Sequence, residues 1–291
     1  MMKKRNKNMI NLFYLPALIL FAVFVIYPFM EGIRISFTNW NGYSQNYTYV
    51  GAKNYIQLFQ DKNVRTALIN TLIYGIGSTF LQNVIGLLYA VFLDSKFRGR
   101  MLVRTIIYLP VMIAPLVMGY MMYFLVQYDN GAINDILAAF GRQPVDWMNN
   151  GFRAVILMTL INSLQFVGIS MVIYMAGLQG IPGVYYEAAA IDGVSGFQAF
   201  RSITLPLLTP AITSAVVINL IGGLKLFDII MALTMGGPGY SSHSLSTLIT
   251  NQYFRAQNAG YSAAMGVGTF LLIMFISNVT MRYFDKKEVY L

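Results

Sequence analysis

Asn162 and Gln165 stand three residues apart in a run, Ala154–Tyr186, that holds no charged residue. At that spacing their amides share one helix face with Phe166 and Ile169. Asn219 lies in a second uncharged run, Ser202–Leu224, with Gly222, Gly223 and Leu226 on its face. An amide supplies both donors and an acceptor, which is what a neutral polyol demands. Among apolar neighbours such groups are costly, so they face a cavity or bond across to another helix. Lining and interhelical glue both remain open for Asn162, Gln165 and Asn219, with Phe166, Ile169, Gly223 and Leu226 beside them.

A different chemistry is written in Glu187–Pro206, EAAAIDGVSGFQAFRSITLP. Pro182-Gly183 ends the preceding helix, and Val184–Asp192 reads as a short helix. Ala188, Ala189 and Ala190 permit close approach to another surface. Glu187 lies in the first turn, where the helix dipole stabilises a carboxylate that stays free to pair with a partner's cation. Asp192 closes the helix, Gly193 permits a bend, and Phe197 and Phe200 offer apolar knobs. Pro206 suits the first turn of a new helix. The alternative is a helix lying on the membrane surface, but such helices carry several Lys or Arg, and here only Arg201 is present.

Enzyme constellations are missing. The sequence contains no G-x-x-x-x-G-K-[ST] loop for phosphates, no Cys/His metal cluster and no carboxylate pair in a plausible pocket. Zero cysteines exclude disulfides and thiol nucleophiles. Lys225 and Asp228, three apart, predict an ion pair on one helix face, with a proton relay as the sharper alternative. Glu31 and Arg34 form a similar pair. Tyr174, Gln82 and Asn83 read as packing or glue, and His243, in a Ser-rich outer loop, as solvated surface.

The elements that position these groups follow from composition. Of 291 residues 57% are hydrophobic and 11% charged, where soluble domains carry about a quarter charged. Six uncharged runs each reach the ~20 residues that span ~30 Å of hydrocarbon. They predict an all-α, polytopic membrane protein, one transmembrane domain over 1–291. Its six transmembrane helices fall near 11–35, 66–94, 104–128, 153–178, 203–227 and 260–284, with the Glu187 segment inside a loop over 179–202. Counting 1.5 Å per residue puts Asn219 ~20 Å above Pro206, near mid-depth. Ile229–Phe254 is interrupted by Gly236-Gly237-Pro238-Gly239 and reads as an outer loop that dips back, not a seventh span. Gly260, Ala264 and Gly268 form a small-residue contact stripe.

An inside amino terminus places twelve Lys and Arg in inner segments against seven outside, with Lys96–Arg104 the clearest vote. Both termini then face the cytoplasm. The basic start and apolar run mimic a signal peptide, but the run is too long and no cleavage site follows, so a retained first span is expected. The net charge of +9 reflects topology and lipid headgroups, with nucleic acid a poor partner for a chain lacking a basic domain outside the membrane.

The Glu187-Ala188-Ala189, Gly193, Ile203, Leu205-Pro206 spacing resembles the cytoplasmic coupling loop of membrane subunits of ATP-binding-cassette importers. Leu178-Gln179-Gly180-Ile181-Pro182 leads into it as in carbohydrate-importing permeases. Phe227-Asp228, Leu233-Thr234 and Gly236-Gly237-Pro238 resemble a segment of the larger maltose-type permease. Gly131-Ala132-Ile133-Asn134 with Trp147 is similar to an outer loop of that group. The chain lacks the maltose-type extra helices and outer insertion, and looks like the shorter six-span form used for oligosaccharides and glycerol-phosphate-type substrates. The resemblance implies a bacterial plasma (inner) membrane location, a second permease, two ATP-binding subunits and an extracytoplasmic sugar-binding protein. It implies no cofactor or metal on this chain, with ATP and Mg2+ held by the partner ATPase. An ion-coupled secondary carrier is the alternative, and a non-transporting scaffold a third class. The first is expected to show inverted repeats, which are not detected; the second, no polar groups at mid-depth.

Overall fold

The computed structural model describes residues 14–95 and 97–286. The inner-side Lys3, Lys4, Arg5, Lys7, Lys96 and Lys287 lie outside the described residues. Among those described, helices dominate, and the one bridge of extended backbone joins Thr38 and Tyr49. Five helices are long and apolar enough to cross a membrane: Tyr14–Ser36, Lys62–Asp94, Gly151–Gln179, Thr209–Leu233 and Ala259–Asp285. These are the first, second, fourth, fifth and sixth spans. The third is a broken pair, Arg100–Met112 and Pro115–Val126, bent by 100°.

That break corrects the continuous helix expected over 104–128. Pro110 starts a 3-10 turn over Leu109–Met112, and Ile113 and Ala114 are extended, with ψ of 132° and 133°. The cause is Pro115, which bars its predecessor from the α region and lacks an N–H to continue the ladder.

The fifth span also departs from expectation. Phe200–Thr204 forms a π turn and Leu205–Leu207 a single short turn, so the long helix begins at Thr209 rather than near 203. Its main helix stops at Leu224; Phe227 turns the chain at φ −135°, and a new short helix runs Asp228–Leu233. Lys225 and Asp228 thus fall on opposite sides of a break. The i,i+3 geometry that their ion pair needed is absent, and they do not pair. In the uninterrupted first span the analogous pair does form, with Arg34 Nε donating to Glu31 Oε2 at 2.8 Å.

Contacts gather the described chain into two compact units. One comprises residues up to Asp61 with Ile249–Phe270. Here the loop after the first span is closed by Asn54, whose Nδ2 donates to the carbonyls of Ser36 and Thr38 at 2.8 and 2.9 Å. A Cβ at Gly260 would lie 2.0 Å from the Thr38 oxygen. Only glycine admits that loop, and its N–H donates to Trp40 O at 2.9 Å. Ala264 of the same stripe is fully buried, and Tyr261 Oη donates to Asp61 at 2.8 Å.

The other unit holds Lys62–Leu248 and the remainder of the sixth span. Its two apolar clusters centre on Tyr74, Met158 and Ile230, and on Leu93, Met171 and Leu208. Spans two and four cross closely because a Cβ at Gly86 would stand 2.5 Å from Ser170 Cβ. Tyr174 Oη donates to Asn83 Oδ1, the glue expected of both.

In the segment after Asp228, Ile229, Ile230, Ala232 and Leu233 are buried. Span two pins the turn that follows. Asn70 Nδ2 donates to the carbonyls of Ser241 and His243 at 2.8 and 3.0 Å, and Tyr74 Oη to that of Ser242 at 2.8 Å. This corrects the reading of His243 as solvated surface, since it is 2% exposed. Its ring lies where a Cβ on Gly236 would be, 2.1 Å away, and Gly236 at φ +91° has none. His243 Nδ1 also shares a 2.9 Å hydrogen bond with Thr247 Oγ1.

Candidate functional site

The three elements carrying amides converge on a cavity of about 200 Å³ within the second unit. Span two contributes Gln82, the break in span three Pro115, and span four Asn162, Phe166 and Ile169. The end of span five supplies Ile218, Asn219, Gly222 and Gly223, and its break supplies Lys225, Leu226, Phe227, Asp228 and Ile229. The structure therefore brings together Asn162, Phe166, Ile169, Asn219, Gly223 and Leu226.

Gln165 is the exception. It is fully buried outside that wall, and its Nε2 donates to Ile113 O at 3.0 Å. The break in span three frees that carbonyl from helical bonding, and Gln165 supplies the donor it lost. Its expected role as lining is replaced by a tie.

Asn219 is 5% exposed and donates from Nδ2 to Ser170 Oγ at 2.6 Å. Asn162 is 2% exposed, and its side chain makes no hydrogen bond to any described residue. With no such partner, its amide is left free to bond a polar group in the cavity that it lines. Lys225 and Asp228 face the same space unpaired, giving it one charge of each sign. Gln82, Lys225 and Asp228 escaped the sequence reading as lining. Gln82 stood out as a polar residue in an uncharged run, but nothing in one helix says which way it turns.

The Glu187 segment folds as local chemistry dictates. Val184–Ile191 is helical, with Glu187 in its first turn and Asp192 at its end. Gly193 takes φ +70°, the left-handed bend that glycine permits. Ser195 and Gln198 then form a capping box that starts Gly196–Ala199. Ala189 packs inward, while Glu187, Ala188 and Asp192 are exposed. Ile191 and Phe197, at 87% and 75% exposure, project beyond the fold, and Phe200 is half-buried. Tyr186 Oη and Thr204 Oγ1 share a 2.9 Å hydrogen bond that ties the helix to the foot of span five. These residues make an exposed apolar surface edged by Glu187 and Asp192.

Comparison with known proteins agrees with this arrangement. Residues 82–289 match the family model described as binding-protein-dependent transport system inner membrane component. The probable ABC transporter permease protein YurN of Bacillus subtilis (strain 168) is 32% identical over 97% of this chain and 98% of its own length. The trehalose/maltose transport system permease protein MalF of Thermococcus litoralis is 31% identical, over 97% and 95% respectively. A crystal structure of a bacterial ABC transporter involved in import of the acidic polysaccharide alginate shares the fold. Its TM-score is 0.85 at 23% identity, covering 97% of this chain and 96% of that one. The ion-coupled carrier and the scaffold are set aside by these matches, and the chain is a multi-pass membrane subunit belonging to the binding-protein-dependent transport system inner membrane component family.

Proposed function

We propose that this chain is one of two permease subunits of an ATP-driven importer for a neutral oligosaccharide. Asn162 carries the reading: an amide with no hydrogen-bond partner among the described residues, in the wall of the cavity. Asn219 and the apolar faces of Phe166, Ile169 and Leu226 complete a surface suited to a sugar, whose hydroxyls need hydrogen bonds and whose C–H faces need apolar contact. With one Lys and one Asp in the wall the cavity has no net charge, which favours a neutral solute. Full-length relatives have names that point the same way, among them transport systems for trehalose/maltose, starch degradation products and arabinooligosaccharides.

ATP and Mg2+ are bound and hydrolysed by two partner subunits, and a binding protein delivers the sugar to the outer mouth. Closure of the ATPase pair moves the helix containing Glu187 and rocks the spans from inward-open to outward-open. Both termini and the Glu187 segment face the cytoplasm, in keeping with the excess of Lys and Arg on that side. Alternating access then rests on bundles moving about a fixed mid-membrane site.

The test is uptake of labelled maltose, trehalose and arabinotriose in a strain deleted for this subunit and complemented with variants. Asn162→Leu and Asn219→Leu are expected each to lower uptake about tenfold, the value of one good hydrogen bond to a ligand, with ATPase docking unchanged in a pull-down. Wild-type uptake in both variants would remove these residues from the pathway. Failure of the wild type to take up any of the three sugars, with docking intact, would overturn the substrate class.

A further inference from the structure

The cavity wall contains one polar end that neither the packing nor the proposed site uses. Gln82 is 1% exposed and lines the cavity from span two. Its Nε2 donates to the main-chain oxygen of Asn162 at 3.0 Å. Only the nitrogen of an amide can bond a carbonyl, so the oxygen is necessarily the end left over. That oxygen, Oε1, is buried and has no hydrogen-bond partner. Glue alone leaves the desolvation penalty of that end standing, as it does at Gln165, whose Oε1 is likewise unpartnered but lies away from the cavity wall. Methionine would fill the same volume without that penalty.

The tie is made at a residue whose own side chain also has no hydrogen-bond partner among the described residues. Asn162 and Gln82 therefore hold unused amide groups side by side in the wall of one cavity, on two spans locked together by the close crossing at Gly86. We infer that Gln82 is a further specificity-determining residue, pairing with Asn162 to read two neighbouring hydroxyls of the transported sugar. Gln82 Oε1 accepts from one hydroxyl and the Asn162 amide bonds the next. The bond from Nε2 holds the Gln82 side chain in place, so this ordering precedes binding. The inference rests on the sugar site proposed above and adds a contact from a third element to it.

The sequence contains no cysteine, so a single introduced thiol is unique in this chain. Q82C, N162C and L93C are made in the assembled complex in membrane vesicles and treated with a small methanethiosulfonate reagent. Leu93 is 1% exposed and absent from the cavity wall, and serves as the buried control. Q82C and N162C are expected to react and L93C to stay unmodified, with reaction at 82 slowed several-fold by whichever of maltose, trehalose or arabinotriose the wild type takes up. Reaction at 162 but not at 82 would make Gln82 mere helix glue and overturn the inference while leaving the site. Reaction at neither would overturn both.

A second variant guards against misfolding of the first. Gln82→Met is expected to lower uptake of the parent sugar about tenfold and to leave uptake of one of its monodeoxy analogues unchanged. A structural role would instead lower uptake of parent and analogues by one common factor, and that result too would overturn the inference.

Discussion

Glu187→Lys is expected to abolish uptake while the complex still assembles. The carboxylate is exposed and makes no hydrogen bond or ion pair within the described chain. Its replacement therefore changes little in the fold, since exposed substitutions cost within about 0.5 kcal/mol. What changes, under the coupling role proposed for this helix, is the surface offered to the ATPase. Removing one partner of a desolvated charge pair costs about 2–5 kcal/mol, which is about 30-fold or more, and reversing its sign adds repulsion. The added cation also opposes the helix dipole in the first turn. Glu187→Gln keeps the hydrogen-bonding shape and should lie between the two. Measured uptake with a pull-down of the ATPase separates coupling from assembly, and normal uptake by Glu187→Lys would remove the coupling role from this loop.

Gly223→Ala is expected to cost the fold heavily. A Cβ there would meet Ser78 Oγ at 2.7 Å, Gly75 Cα at 2.9 Å and the Tyr74 carbonyl oxygen at 2.9 Å. Two of those three atoms are backbone and cannot swing away. The contact is made at the π turn Ile73–Gly77, where the hydroxyls of Ser78 and Thr79 bond back to the Tyr74 and Gly75 carbonyls. Overpacking of this kind costs about 1–3 kcal/mol and displaces the wall beside Asn219. The yield of folded complex, read by size-exclusion chromatography of a fluorescent fusion, should fall along with uptake. Gly222 is the control: it lines the same cavity, yet a Cβ there would touch nothing within 4 Å. Equal losses from Gly222→Ala and Gly223→Ala would mean that close packing is not why glycine stands at 223.

Class and element count were legible from residue order alone because they depend on local quantities. Uncharged runs of sufficient length predict spans wherever they occur, and Pro182-Gly183, the alanines and Gly193 shape the Glu187 segment without help from distant residues. The Glu31–Arg34 pair formed for the same reason, being set by the rise of one unbroken helix.

Facing was another matter. In a membrane both the lipid and the protein interior are apolar, so a span carries little amphipathic signal of which side turns inward. Asn162 and Gln165 share a helix face, yet one lines the cavity and the other repairs the broken ladder at Ile113. Gln82 entered the wall because Gly86 let two helices touch, and His243 was buried because Gly236 left room for its ring. Lys225 and Asp228 were separated by a helix break between Leu224 and Asp228. Residue order by itself determined that this is a bundle of apolar spans with a short helix at Glu187 between two of them. Only the tertiary contacts decided which polar groups meet, because that choice belongs to pairs of helices and to no single one.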